Sequence, residues 1–213
     1  MTKSIVIAGT DTGIGKTVFA AALAGALGAS YWKPIQAGLD GATDSDVVRR
    51  LSGLPEERIL PEAYRLRTPA SPHLAAERDG VAIDVARLAR PHPVGVRTTT
   101  VVIELAGGLL VPLTREDLQI EVAARWGAPV VLVASTRLGT INHTLLSLEA
   151  LRARAIPVLG VAFVGEPASD SEAVIPGFAG VRNLGRLPRL DPLDAASLRA
   201  AFLANFMLED FFA

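Results

Sequence analysis

Gly9-Thr10-Asp11-Thr12-Gly13-Ile14-Gly15-Lys16-Thr17-Val18 is the densest run of chemistry-bearing residues in the sequence. It follows the apolar run Ser4-Ile5-Val6-Ile7-Ala8 and leads into Phe19-Ala20-Ala21-Ala22-Leu23-Ala24. A buried strand, a glycine-rich turn ending in Gly-Lys-Thr and a helix are the parts of a phosphate-binding loop. Gly13 and Gly15 let backbone N–H groups crowd onto phosphate oxygens, and the helix N-terminus adds partial positive charge. Ile14 and Val18 complete the loop around Lys16, which can reach the β- and γ-phosphates, and Thr17, whose hydroxyl can ligand Mg²⁺. The strict pattern has Gly five residues before Gly15, where this chain has Thr10 with Gly9 beside it. The motif implies a nucleoside triphosphate as ligand.

The cations narrow the search further. Of 21 Lys plus Arg, only Lys3, Lys16 and Lys33 are lysine. A compact ammonium on a flexible stem is not interchangeable with a planar guanidinium beside a small anion. Lys16 belongs to the phosphate loop and Lys3 lies near the terminus, so Lys33 becomes the candidate for chemistry. It opens Lys33-Pro34-Ile35-Gln36-Ala37-Gly38, in which Pro34 stiffens the exit from a strand and Gly38 permits a sharp turn.

Two further constellations carry candidate ligands. The β-branched run Thr99–Ile103 delivers Glu104 to a strand tip, followed by Ala106-Gly107-Gly108. Mg²⁺ is suited by one or two carboxylates with a hydroxyl, water and phosphate oxygens. Glu104 opposite Thr17 supplies one carboxylate, and Asp46 the second, while Asp44 and Ser45 fit helix capping. Arg137-Leu138-Gly139-Thr140-Ile141-Asn142-His143-Thr144 opens a helix whose free N–H groups suit a carboxylate or phosphate. Simple capping by Thr140 or Asn142 is the alternative, and His143 reads as a helix-surface or interface residue.

The elements that must position these residues alternate along the chain. Strands are predicted near Ser4–Ala8, Ser30–Lys33, Thr99–Glu104, Val130–Ala134, Val158–Phe163 and Val181–Leu187. Helices fit Lys16–Leu27, Ser45–Leu51, Leu118–Trp126, Asn142–Arg154 and Ala195–Phe206, with shorter ones between Pro72 and Ala89. The strongest strands are continuous apolar runs, as expected when both faces are buried. The fold class is therefore α/β: a parallel sheet with helices on both faces, the three-layer P-loop NTPase type, in a single domain over 1–213. Ligands belong at the carboxyl ends of the strands, where the loop, Lys33, Glu104 and Ser135–Asn142 all fall. The C-terminal run Phe206–Phe212 reads as packing.

Composition excludes several classes. A net charge of −1 gives no nucleic-acid footprint and no attraction to an anionic membrane. Without cysteine there is no disulfide, thiolate metal site or thiol nucleophile. No apolar stretch approaches the ~18 residues of a membrane span, and the N-terminus lacks a signal-peptide layout, so a cytoplasmic enzyme is expected.

Taken in order and spacing, the motifs resemble dethiobiotin synthetase, the ATP-dependent ligase that closes the ureido ring in biotin biosynthesis. The resemblance rests on Gly9-Thr10-Asp11-Thr12-x-x-Gly15-Lys16-Thr17, Lys33-Pro34 with Gly38, Pro69-x-Ser71-Pro72-His73, Glu104-x-Ala106-Gly107-Gly108 and Leu138-Gly139-x-Ile141-Asn142-His143. It implies 7,8-diaminononanoate, CO₂ and ATP with Mg²⁺ as reactants, and a homodimer with the substrate site at its interface. It implies that Lys33 stabilises a carbamate, with Lys16 as its catalytic partner, and that Thr12 and Ala37 lie at the diamine. Thr17, Asp46 and Glu104 would hold Mg²⁺. Gly13, Ile14, Gly15, Lys16, Thr17, Val18, Ala106, Gly107 and Pro188 would contact the nucleotide. Backbone N–H groups of Gly139, Thr140, Ile141 and Asn142 would take the substrate carboxylate of the other subunit.

Three positions depart from the family pattern. Ala37 stands where Ser or Thr is usual, which removes one hydrogen bond near the substrate amine. Leu105 follows Glu104 in place of Gly and is expected to narrow the nucleotide loop. Val164 stands where many relatives carry an adenine-reading Asn, which predicts a looser base preference unless backbone groups around Leu187-Pro188-Arg189 read the base. Two rival readings remain: a deviant P-loop partition-type ATPase acting as a dimerisation switch, and an amidotransferring cobyrinate-type synthetase. The first usually has a second lysine where this chain has Asp11, and the second needs a glutaminase cysteine that is absent.

Overall fold

The computed structural model describes residues 3–91 and 100–212. Thr99, the expected start of one strand, lies outside the described residues. The first half runs β1 (Ser4–Gly9), α1 (Lys16–Leu27), β2 (Ser30–Trp32), β3 (Ile35–Ala37), α2 (Asp44–Ser52), β4 (Ile59–Leu60), β5 (Tyr64–Leu66) and α3 (Pro72–Asp79). The second half runs β6 (Val101–Gly108), α4 (Gln119–Trp126), β7 (Val130–Ser135), α5 (Thr140–Arg152), β8 (Val158–Val164), α6 (Ser169–Ala179), β9 (Asn183–Leu187) and α7 (Ala195–Asn205).

Among the described residues, seven strands form one sheet in the order β4-β2-β6-β1-β7-β8-β9, with every pairing parallel. β3 and β5 pair separately, also in parallel. Side chains alternate across the sheet. Ile5, Ile7, Val102 and Val131 therefore pack under α1, α2 and α7, while Val6, Ala8, Ile103 and Leu132 pack under α3, α4, α5 and α6. α1 is apolar on nearly every side, Lys-Thr-Val-Phe-Ala-Ala-Ala-Leu, because it lies between the sheet and the helices α2 and α7.

Phe19 roots that helix in an aromatic cluster with Phe202, Phe206 and Phe211, ring centroids 5.4–6.4 Å away. Of the C-terminal run expected to pack, Phe206 and Phe211 are buried, while Met207 and Phe212 are exposed.

Several elements differ from the sequence expectation. α6 was not anticipated, since Ser169–Ala179 carries Pro176 and lacks a clean apolar stripe. The helix expected over Asn142–Arg154 starts two residues earlier, because Gly139 takes φ +95° and turns the chain directly into it. β3 and β5 are three residues each, too short for a periodicity to register. No helix among the described residues is long and apolar enough to cross a membrane.

Candidate active site

Strand register brings the charged residues together. Ile7 of β1 lies beside Glu104 of β6, and Trp32 of β2 lies beside Ile103, so Lys33 emerges next to Glu104. Parity then fixes the face. Tyr31 and Val102 pack on the α1 side, so Lys33 and Glu104, each two residues on, point to that side as well. Thr17, in the first turn of α1, meets them there.

The result is one connected cluster. The Thr17 hydroxyl is 2.8 Å from Glu104 Oε1 and 3.0 Å from Asp44 Oδ1. Lys33 Nζ is 2.6 Å from Asp44 Oδ2 and 3.3 Å from Glu104 Oε1, and donates to the Leu105 carbonyl at 3.3 Å. Tyr31 donates its hydroxyl to Glu104 Oε2 at 2.8 Å. Glu104 is 1% exposed and Lys33 4%. Burial alone would lower the Lys33 pKa, but the Glu104 and Asp44 carboxylates raise it by more, so the group stays an ammonium. Asp44 is the mirror case: burial would raise its pKa, but Lys33 and Thr17 lower it by more, so it stays below the usual carboxylate value. Burial and the neighbouring Glu104 push the Tyr31 phenol well up, which keeps it a donor.

The loop itself is built around Lys16. A Cβ on Gly9 would lie 2.6 Å from Lys16 Cδ and 2.9 Å from Nζ, so Gly9 leaves the track along which the lysine folds back. Gly15 has φ +97°, and a Cβ there would lie 2.7 Å from Val164 Cγ1. Lys16 Nζ donates to the Asp11 carbonyl at 2.6 Å, inside the loop it would share with phosphates. Burial lowers its pKa to about 8, with Glu104 opposing and Lys33 adding to the fall. Phosphate binding needs the ammonium, and deprotonation proceeds as pH rises through 8. The affinity for a fluorescent ATP analogue is therefore expected to drop roughly tenfold between pH 7.5 and 9.5. A flat affinity across that range would contradict the reading.

A family model described as an AAA domain matches residues 3–197. The ATP-dependent dethiobiotin synthetase BioD of Rhodopseudomonas palustris strain TIE-1 is 65% identical over 211 residues, 99% of this chain and 98% of that protein. The chain belongs to the dethiobiotin synthetase family. A second relative of the same name, from Nitrobacter hamburgensis, is 60% identical over 99% of this chain and 98% of its own. Solved structures share the fold at low identity. The ParA family ATPase of Chlorobium tepidum covers 95% of this chain and 91% of its own, at TM-score 0.55 and 12% identity. A chain of the MinC:MinD cell division protein complex from Aquifex aeolicus matches over 93% of this chain and 86% of its own, at TM-score 0.53 and 14% identity.

Against the dethiobiotin synthetase expectations, Asp44 and Asp46 exchange places. Asp46 does not face the cluster. Thr43 is the N-cap of α2, and Asp46 closes a capping box with it: the Thr43 N–H donates to Asp46 Oδ2 at 2.9 Å and the Asp46 N–H donates to the Thr43 hydroxyl at 3.2 Å. Its other oxygen takes Arg49 at 2.6 Å, in solvent. Asp44, expected to cap, is the carboxylate that reaches Thr17 and Lys33. The cause is helix phase, since N1 and N3 point about 200° apart at 100° per residue.

Two buried glutamines also support the cluster, and neither carries a motif that sequence reading would find. Gln36, 7% exposed, accepts from the Asp44 N–H at 3.1 Å and donates to the Ala37 and Gly38 carbonyls. Gln119, 3% exposed, accepts from the Ala106 N–H at 3.1 Å and donates to the carbonyls of Ala106 and Gly108. It ties the end of β6 to the start of α4. Gln119→Leu leaves those backbone groups unpaired and is expected to destabilise by about 1–3 kcal/mol in urea unfolding. A loss under ~0.5 kcal/mol would show that the clamp is dispensable.

Two clefts take in part of the remaining candidates. One, of about 270 Å³, is lined by Gly13–Gly15, Ser135–Arg137, Val164–Glu166 and Arg189. It lies beside the loop, with half-buried Pro188 between the end of β9 and Arg189. The other, of about 450 Å³, has Thr10–Thr12 and Gly108–Val111 on one wall and the His143–Ala150 stretch of α5 on the other. Thr12 is exposed on its rim. Gly139–Asn142 open α5 without a side-chain cap, so neither Thr140 nor Asn142 caps it. The buried Thr140 hydroxyl lies 3.4 Å from that of Thr144. Leu105 is another correction: its side chain packs with Leu113 on the opposite face from Glu104, so the expected narrowing of the nucleotide loop is not seen. Ala37 is half-buried in β3.

Proposed function

We propose that this chain is an ATP-dependent dethiobiotin synthetase that condenses 7,8-diaminononanoate with CO₂. One substrate amine takes up CO₂ as a carbamate, and the carbamate oxygen attacks the γ-phosphorus of ATP, releasing ADP. The second amine then attacks the mixed-anhydride carbon and expels phosphate, closing the ureido ring. The observation that carries the reading is the buried ammonium of Lys33 beside Thr17, Asp44 and Glu104 at the mouth of a phosphate loop. A carbamate is a carboxylate-like anion that a compact ammonium can pin, and phosphoryl transfer needs alignment and charge stabilisation rather than a covalent partner.

Each residue then has a task. The loop amides from Gly13 to Val18 hold the phosphates, and Lys16 aligns the γ-phosphate. Lys33 holds the carbamate, with Thr12 and the Ala37 backbone at the diamine. Thr17, Asp44 and Glu104 suit Mg²⁺: a hydroxyl and two carboxylates within hydrogen-bond distance, all hard oxygen donors. Bound there, Mg²⁺ would neutralise charge on the phosphates. Ala106 and Gly107 border the nucleotide.

The N–H groups of Gly139, Thr140, Ile141 and Asn142 would take the substrate carboxylate of a partner subunit. The exposed Leu110, Leu138 and Leu146 near the larger cleft support a homodimer there. A cytoplasmic, single-domain enzyme without nucleic-acid or membrane partners completes the reading. The likeness to ParA and MinD concerns the fold and lends no weight to a switch function.

Incorporation of ¹³C from bicarbonate into a ureido product, detected by mass spectrometry, tests the proposal. Label appearing only with the diamine, ATP and Mg²⁺ supports it, and no labelled product would end it. The base side carries its own expectation. Val164 offers no hydrogen bond to a base, so kcat/KM for CTP and GTP should fall within about tenfold of that for ATP. A loss of 10³ or more with both, on a common assay, would mean that other contacts read adenine.

A further inference from the structure

The two tasks given to Asp44 and Glu104 compete for the same oxygens. Lys33 Nζ sits 2.6 Å from Asp44 Oδ2 and 3.3 Å from Glu104 Oε1, the carboxylates that the metal reading also uses. Glu104 is anchored at its carboxylate, and Asp44 through its backbone at the first position of α2. Tyr31 holds Glu104 Oε2 at 2.8 Å, and Gln36 holds the Asp44 backbone N–H at 3.1 Å. The Lys33 ammonium is held by the two carboxylates and by the Leu105 carbonyl at 3.3 Å, at the end of a flexible four-carbon stem. An incoming cation would need the same carboxylate oxygens, and the flexible lysine stem is the part of the cluster that can yield them.

We propose that Lys33 is the internal counter-ion of the metal site, and that a divalent cation entering with the nucleotide displaces the ammonium from Asp44 and frees it for the carbamate. This rests on the synthetase reading for what Lys33 does after release. It adds an order to the site: metal and nucleotide first, a competent Lys33 second. Carbamate stabilisation is thereby withheld until metal and nucleotide are bound. The arrangement also keeps the charge of the buried pair compensated before the metal arrives, since a lone buried carboxylate is costly.

With three lysines in the chain, the test can be read on the unmodified protein. The Cε–Hε signals of ¹³C-lysine-labelled enzyme give three resonances, assigned with Lys3→Arg and Lys33→Met. Adding β,γ-imido-ATP in EDTA is expected to move Lys16. Adding the same analogue with Mg²⁺ should move Lys33 further, and a Lys33 signal that is the same in both states overturns the proposal. Independently, Mn²⁺ titration of the ADP complex by electron paramagnetic resonance should give about tenfold tighter binding in Lys33→Met, because the competing charge is gone. Unchanged or weaker binding in that variant counts against it. Both experiments omit diamine and bicarbonate, so they succeed or fail separately from the synthetase activity.

Discussion

Lys33→Met is expected to lower diamine-dependent turnover by about 10³-fold, in line with the loss of a preorganised charge aimed at the reacting group. The residue is 4% exposed and faces two carboxylates, so without it Lys16 is the buried lysine that remains among the described residues. Methionine keeps the stem's volume, which separates lost charge from lost packing. The loop, Lys16 and Thr17 remain, so the affinity for an ATP analogue in EDTA should stay within about threefold of wild type; the defect belongs in kcat. Removing one partner of a buried pair is itself destabilising by about 3–5 kcal/mol. The effect here should lie at or below the low end, because the Asp44 side chain is 31% exposed, and Mg²⁺ should offset part of it. Turnover within tenfold of wild type, in folded protein saturated with Mg²⁺, would remove Lys33 from the chemistry.

The second large effect separates the two aspartates. Glu104→Gln and Asp44→Asn should each reduce turnover by about 10²–10³-fold and raise the Mg²⁺ concentration for half-activity at least tenfold, since each removes a charged oxygen donor from the metal. Asp46→Asn should leave both quantities within about twofold, because an Asn at that position still accepts from the α2 N-terminus. Measured as Mg²⁺ dependence of kcat, the three variants form one comparison. If Asp46→Asn fell with Glu104→Gln while Asp44→Asn did not, the assignment from the structure would be wrong and that from sequence right.

That reversal shows where sequence reading stops. The strand-loop-helix around Lys16 was legible because glycine spacing and apolar runs act locally. Glu104 was legible because a β-branched run ending in a carboxylate and two glycines marks a strand tip. The scarcity of lysine singled out Lys33. Choosing between Asp44 and Asp46 needed the phase of α2, and the Thr43-x-x-Asp46 spacing of a capping box was the available signal. Gln36, Gln119 and Tyr31 were not legible. Their roles come from register, with Tyr31 on the same face as Glu104, and from side chains reaching backbone on another element. Leu105 was misjudged for the same reason: strand alternation sends it to the far face. α6 escaped because Pro176 and a polar first turn blur its pattern.

The central claim is that ATP hydrolysis in this chain is coupled to the diamine through Lys33. Phosphate release from ATP and Mg²⁺, followed with and without 7,8-diaminononanoate plus bicarbonate, tests it most directly. The expected result is release that requires the diamine, matches ureido product one to one, and is lost in Lys33→Met. Release at the same rate without diamine, unaffected by Lys33→Met, would contradict the account and turn attention to a nucleotide switch on the same fold.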